Sequence, residues 1–191
     1  MKSKIVLIIS FLLTLSIYGQ NRYYVPINDG TEISIGVDEL NASIITEHLI
    51  AFDELSLTDY ECECEIYRFL WLRSFHNSVL ITITKTASNI KLQWKRTDGE
   101  GNFESENLIE NRIIFLSLIQ WSEFKEKLNN IAFWKNPTKY GENIIRVLDG
   151  SYMIMEGIKS NQYHISEIDI YKISNYLIEL TELNIPEKEK Y

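Results

Sequence analysis

The chain carries 27 Asp and Glu against 19 Lys and Arg over 191 residues, a formal net charge of −8. That balance excludes the clustered positive surface that nucleic acid requires and that an anionic membrane attracts. The length suits a single domain that buries its core without covalent staples, and only two cysteines are present to make one.

Lys2 and Lys4 open the chain ahead of an apolar or hydroxylated run over residues 5–18, which ends at Gly19. A positive segment, a core of about a dozen apolar residues and a small residue at its end form the pattern of a secretory signal peptide. The core is shorter than the ~20 residues of a spanning helix; an uncleaved anchor is the competing reading. Residues 1–19 are therefore expected to be removed, giving an exported chain, periplasmic or secreted, with no integral membrane segment. Two lysines leave with the signal and no acid does, so the mature balance becomes −10. An acidic surface of this kind suits a basic protein partner.

Residues 20–36 are polar and broken by Pro26 and Asp29-Gly30, which reads as an extended arm with a short strand at 32–35. Positions 40, 44, 45, 48, 49 and 52 share one face of a helix, with Asp38 as its N-cap and His48 as a part-buried histidine on that face. The longest apolar, strand-like stretch follows, residues 65–86. It divides near Asn77 into a strand over 66–72 that is apolar on both sides and one in which Val79, Ile81 and Ile83 alternate with Thr82 and Thr84. Ile90, Leu92 and Trp94 alternate with Lys91, Gln93 and Lys95 in a third strand, after which Thr97–Gly101 (TDGEG) reads as a turn. A fourth strand falls within 107–116.

Trp121, Phe124, Leu128 and Ile131 then mark one face of a helix, opened by the Ser117/Gln120 capping-box pattern and ended by about Trp134. A short strand at 143–148, a turn at Asp149-Gly150, and a hairpin of 151–158 with 162–167 follow. A last helix over 170–183 turns Ile173, Tyr176, Leu177 and Leu180 inward, and residues 186–191 form a charged tail. Hairpin-length connections with helices before, between and after them predict an α+β fold. It is mainly an antiparallel sheet packed with about three helices, in one domain over 37–185.

The blocks HLIAFDELSL, EIYRFLWLRSFHNSVLITIT, K-x-x-DG, W-x-x-F-x-x-x-L followed by FW, and LDG-x-x-x-x-x-EG before a Tyr-His strand occur in that order. Together they resemble a family of uncharacterised bacterial proteins typified by a YRFLWLRSFH-like block, an FW pair and a late DG-x-x-x-x-x-E block, over residues 48–180. The family has no assigned reaction, so the resemblance implies no activity or cofactor. The chain departs from the pattern where Asp98-Gly99 continues as EGNF and where the late DG lacks the tryptophan of its relatives.

Arg68 and Arg73 stand in an apolar strand, where a guanidinium is costly unless paired. With His76 nearby they read as an anion or carboxylate site. The competing reading, favoured by the excess of acids, is structural ion pairs to Glu156, Asp149 or another carboxylate. Asp149 and Glu156, seven apart across a turn, are the pair a small hydrolase would use as general acid and base. Ser74 and His76 lack a nucleophile elbow, and the three histidines lack metal-ligand spacing. On a strand, Cys62 and Cys64 would lie ~6.5–7 Å apart, at the edge of what a disulfide spans, and the neighbouring glutamates disfavour reactive thiolates. Trp121 is assigned to the core, and Trp134, beside Asn136-Pro137, is a candidate for a binding surface or the core.

The binding candidates are thus Arg68, Arg73, His76, Trp134, Asp149 and Glu156, and no catalytic residue, metal ligand or cofactor is assigned. The expected function is that of an exported, non-catalytic binding or interaction protein, immunity- or inhibitor-like, with another protein as partner. The alternative is a small hydrolase using Asp149 and Glu156.

Overall fold

The computed structural model describes residues 23–28, 36–60, 62–100, 107–135, 151–167, 169–183 and 185–186. In chain order these form helix α1 (Glu39–Ala51), a 3-10 turn (Leu57–Asp59), strands β1 (Glu65–Arg73), β2 (His76–Lys85), β3 (Ile90–Glu100) and β4 (Leu108–Phe115), helix α2 (Leu118–Asn130), strands β5 (Ser151–Lys159) and β6 (Gln162–Ser166), and helix α3 (Tyr171–Thr181). The strands make one antiparallel sheet in the order β4-β3-β2-β1-β5-β6. The fold is α+β. No helix among the described residues is long and apolar enough to cross a membrane. The segment 1–19, the strands expected at 32–35 and 143–148, the Asp149-Gly150 turn and the tail beyond Pro186 lie outside the described residues.

β1 has no polar face, and every residue after Glu65 in it is buried. Such a strand needs cover on both sides, and it sits between β2 and β5 with helices on both faces. Alternation of side chains divides the core. Tyr67, Phe69 and Trp71 join Val79, Ile81, Ile83, Leu92 and Met155 beneath α2 and α3. Leu70 and Leu72 join Leu80, Ile154 and Ile165 beneath α1. Each fully buried Leu, Ile or Phe contributes roughly 1.5–3 kcal/mol, so these two layers dominate the stability.

Local chemistry sets the element ends. Asp38 accepts the Asn41 N–H at 3.0 Å, and Ser117 and Gln120 form a complete capping box on α2. β5 and β6 join through Ser160-Asn161, both at positive φ (50° and 59°), in the two-residue turn whose twist matches the strands. The described part of the arm packs on α1: Tyr24 donates its N–H to Thr46 Oγ1 at 2.9 Å, and Ser56 Oγ donates to the Tyr24 carbonyl at 2.6 Å.

Three expectations are corrected. α1 turns Asn41, Ala42, Ile45, Thr46, His48 and Leu49 inward, while Leu40 is 67% exposed. Its buried polar groups have partners, Asn41 on the Asp38 carboxylate and Thr46 on the arm, so polar satisfaction rather than hydropathy fixes the inward stripe. The TDGEG segment is strand through Glu100, because Asp98 and Asn107 pair reciprocally: Asp98 N–H on the Asn107 carbonyl at 3.0 Å, Asn107 N–H on Asp98 Oδ1 at 2.7 Å. Lys95, expected on the polar face of a half-covered strand, is 5% exposed.

Gly157 marks where β5 passes closest to the aromatic layer. A Cβ built there meets Phe133 Cε1 and Tyr67 Cδ1, each at 3.1 Å. Gly157→Ala should overpack this layer and cost about 1–3 kcal/mol, measured as a lower urea midpoint with unchanged slope.

Candidate functional site

The charged residues gather on the α1 face of the sheet. Arg68 stands opposite Glu156 in the β1–β5 register, and both are buried, at 1% and 5% exposure. Arg68 Nε donates to Glu156 Oε1 at 2.7 Å, and Nη2 lies 2.6 Å from the same oxygen. Tyr163 on β6 donates its hydroxyl to Glu156 Oε2 at 3.0 Å, so both carboxylate oxygens are engaged. Arg68 Nη1 reaches Glu54 Oε2 at 3.2 Å and the Leu55 carbonyl at 2.8 Å. Glu54 in turn meets Lys95 Nζ at 2.7 Å.

The α1 terminus explains why Lys95 is inside. Helix carbonyls in the last turn lack intrahelical partners and carry partial negative charge. Lys95 Nζ donates to the Phe52 carbonyl at 2.7 Å and the Asp53 carbonyl at 3.2 Å, with Asp53 in the left-handed region (φ 53°). Burial would lower the Arg68 pKa, but the Glu156 and Glu54 carboxylates outweigh it and raise it, so the guanidinium stays charged. Such a network orients strands and a helix end.

The opposite face carries an aromatic wall. The Tyr67 ring meets Phe124 at 5.2 Å, Trp134 at 5.9 Å, Trp121 at 6.0 Å and Phe133 at 6.2 Å. Its hydroxyl donates to Glu65 Oε2 at 2.9 Å and accepts from Lys125 Nζ at 2.7 Å, while Lys125 also meets Glu65 at 2.6 Å. Burial first, then the Glu65 charge, pushes the Tyr67 hydroxyl well up. Burial alone would raise the Glu65 carboxyl, yet the bonds from Lys125 and Tyr67 and the lysine charges hold it below its ordinary value. His164 packs edge-on to Phe133 at 4.9 Å, with its Nε2 buried and without a hydrogen-bond partner among the described residues. Burial depresses its pKa, against a hydrogen bond to the Phe133 backbone.

The five candidates among the described residues therefore do not gather at one place. Arg68 and Glu156 meet on the α1 face. Arg73 sits at the hairpin end of β1, its Nε on the Asn77 carbonyl at 2.9 Å and its guanidinium over the Trp71 ring at 4.9 Å. His76 is the register partner of Arg73. Trp134 is partly buried in the aromatic wall. Asp149 lies outside the described residues.

Glu54, Lys95, Tyr163, Lys125 and His164 were not singled out from sequence. Only Lys95 gave a signal, a lysine within an apolar alternation, and that signal reads equally as a solvated face.

Cys62 and Cys64 are joined as a disulfide with Cα atoms 5.2 Å apart, closer than on a strand because they occupy a bend ahead of β1. They line a cleft of about 470 Å³ with Glu63, Glu65, Lys85 and Asn161. No group of three or more His, Cys, Asp or Glu among the described residues is placed to hold a metal ion. No family model, no curated protein and no solved structure matches this chain.

Two outcomes follow. Arg68→Met should leave Glu156 buried and unpaired and cost about 3–5 kcal/mol; the double variant Arg68→Met/Glu156→Met should cost less than that single one, both read by urea unfolding. For His164 the folded pKa lies below the ordinary 6.5, so the unfolded chain binds the proton first. Its contribution is intact above that value and is lost as pH falls through it. Thermal melts between pH 7.5 and 5 should show a falling Tm, and His164→Phe should flatten that part of the slope.

Proposed function

We propose that this chain is an exported, non-catalytic interaction protein that works by contact with another protein. What carries the reading is an apolar surface at one edge of the sheet. Ile109, Ile113 and Phe115 on β4 are 46%, 54% and 68% exposed, and Leu118 and Ile119, at the start of α2, are 73% and 72% exposed. Scattered exposed apolar residues are ordinary; five of them within residues 109–119, on the edge strand and the helix start that follows it, support a contact surface.

The charge network supports the same reading from the other side. A general acid or base needs an oxygen within reach of a substrate, and Glu156 has one oxygen on Arg68 and the other on Tyr163. Export is supported by the signal-like residues 1–19 and by a cysteine pair held as a disulfide, the state an oxidising compartment maintains. An immunity or inhibitor role is one form of this function, supported by small size and an acidic surface suited to a basic partner.

Affinity capture with the wild-type protein should retain a partner in stoichiometric amount, and Ile113→Glu should release it while circular dichroism stays unchanged. Recovery of no stoichiometric partner, or retention unaffected by Ile113→Glu, would overturn the assignment.

A further inference from the structure

We propose that the Cys62–Cys64 disulfide is an exchangeable bond, passed to a polypeptide with two reduced cysteines that binds in the cleft beside it. The inference shares no residue with the β4 surface and does not depend on the contact reading above.

A disulfide that holds a fold together ties segments far apart in sequence, because its effect on the unfolded chain grows with the loop it closes. Cys62 and Cys64 are two positions apart, so the loop is very short. Both lie in the stretch that leads into β1, and the bond joins no two elements. Neither cysteine belongs to the two apolar layers that make up the core. The bond can therefore open with the sheet in place.

The two sulfurs are not equivalent. Cys62 is exposed, whereas Cys64 is half-buried against Leu57, Ile66 and Ile158. Exposed disulfides are the labile ones, and an incoming thiolate takes the sulfur it can reach, here that of Cys62. Both cysteines line the cleft of about 470 Å³, whose other walls include Thr86-Ala87 after β2 and Ser160-Asn161 between β5 and β6. Three chain segments thus meet around the disulfide and enclose a space of the size that takes a small ligand.

The fold also supplies a cation that the local sequence lacks. Glu63 and Glu65 flank Cys64, and their charge works against a thiolate. Glu65, however, is engaged by Lys125 and by the Tyr67 hydroxyl, and Lys85 stands across the ladder from it. Lys85 lines the cleft with its Nζ on the Thr86 carbonyl, and it makes no ion pair with a described residue. An ammonium in the same cleft favours the thiolate that leaves.

In the first step a thiolate of the polypeptide attacks Cys62 Sγ. The Cys62–Cys64 bond breaks, its electron pair goes to Cys64 Sγ, and that sulfur takes a proton from water. In the second step the polypeptide's other thiolate attacks its own sulfur in the mixed disulfide and expels Cys62, which is protonated in turn. The chain gains two electrons and two protons, and the polypeptide loses as many. With a single disulfide in the chain, the transfer is stoichiometric.

The test uses protein purified without reductant and a synthetic peptide with two reduced cysteines, followed by alkylation and mass spectrometry. The wild type should pass its disulfide to the peptide one for one while its circular dichroism stays unchanged. Cys64→Ser, which leaves Cys62 free, should form a mixed disulfide with glutathione disulfide ~tenfold faster than Cys62→Ser does. Lys85→Gln should slow the transfer several-fold, and Glu63→Gln should speed it. Two free thiols in the purified wild type, a disulfide that survives excess dithiol peptide, or a reduced wild type that loses its circular dichroism would each overturn the proposal, whatever the variants do. Equal reactivity of the two cysteine variants, or a rate indifferent to both Lys85→Gln and Glu63→Gln, would overturn it as well.

Discussion

The structure depends on keeping one positive charge in the middle of a dry strand. Arg68 is nearly inaccessible on β1, and an uncompensated buried guanidinium would cost several kcal/mol. Its compensation arrives from two distant segments, Glu156 on β5 and Glu54 with the Leu55 carbonyl after α1. Those segments are 88 residues away on one side and 14 on the other. The sheet can therefore close around β1 only when both are docked. The network acts less as a source of net stability than as a condition on which arrangement is allowed.

The two faces of β1 solve different problems. On the α1 side, charged groups satisfy one another and the exposed carbonyls at a helix end, so Lys95 serves both Glu54 and the α1 terminus. On the opposite side, large rings fill space around Tyr67, and polarity is confined to the rim, where Lys125 bridges Glu65 and the tyrosine hydroxyl. Gly157 belongs to this second solution: it gives Tyr67 and Phe133 room against the strand. A side chain there would compete with rings that are held by several neighbours at once.

Much of this was legible where one local rule decided the outcome. The Ser117/Gln120 box, the alternation of Val79, Ile81 and Ile83, and the hairpin of 151–158 with 162–167 needed no tertiary information. The doubly covered character of 66–72 was legible too, because a strand with no polar face has no other home. Elsewhere, distant partners reversed the local preference. Leu40 fits the helical stripe better than Asn41, yet Asn41 has Asp38 as a partner and goes inside. Asp98-Gly99 favours a turn, yet reciprocal bonds with Asn107 keep it in the ladder. Lys95 looks solvated until a helix terminus is placed above it. Arg68 and Glu156 were legible as candidates by residue type, but the sequence does not reveal that Tyr163 and Glu54 complete their shell.

That distribution of charge bears on where function can reside. The groups a sequence reader would choose for chemistry, an arginine and a glutamate in the centre of the sheet, are each other's partners and are buried. The aromatic wall is likewise closed by packing, with Trp134 lodged between Tyr67 and His164. At the margin the described residues leave a long edge strand with exposed isoleucines, and on it Arg112 makes no ion pair with another described residue. Backbone hydrogen bonds are the one kind of affinity such an edge offers that a smooth surface does not. An interior that ties up its own charges, next to an edge strand with no neighbour in the described sheet, is the physical ground on which the proposal of contact with another chain rests.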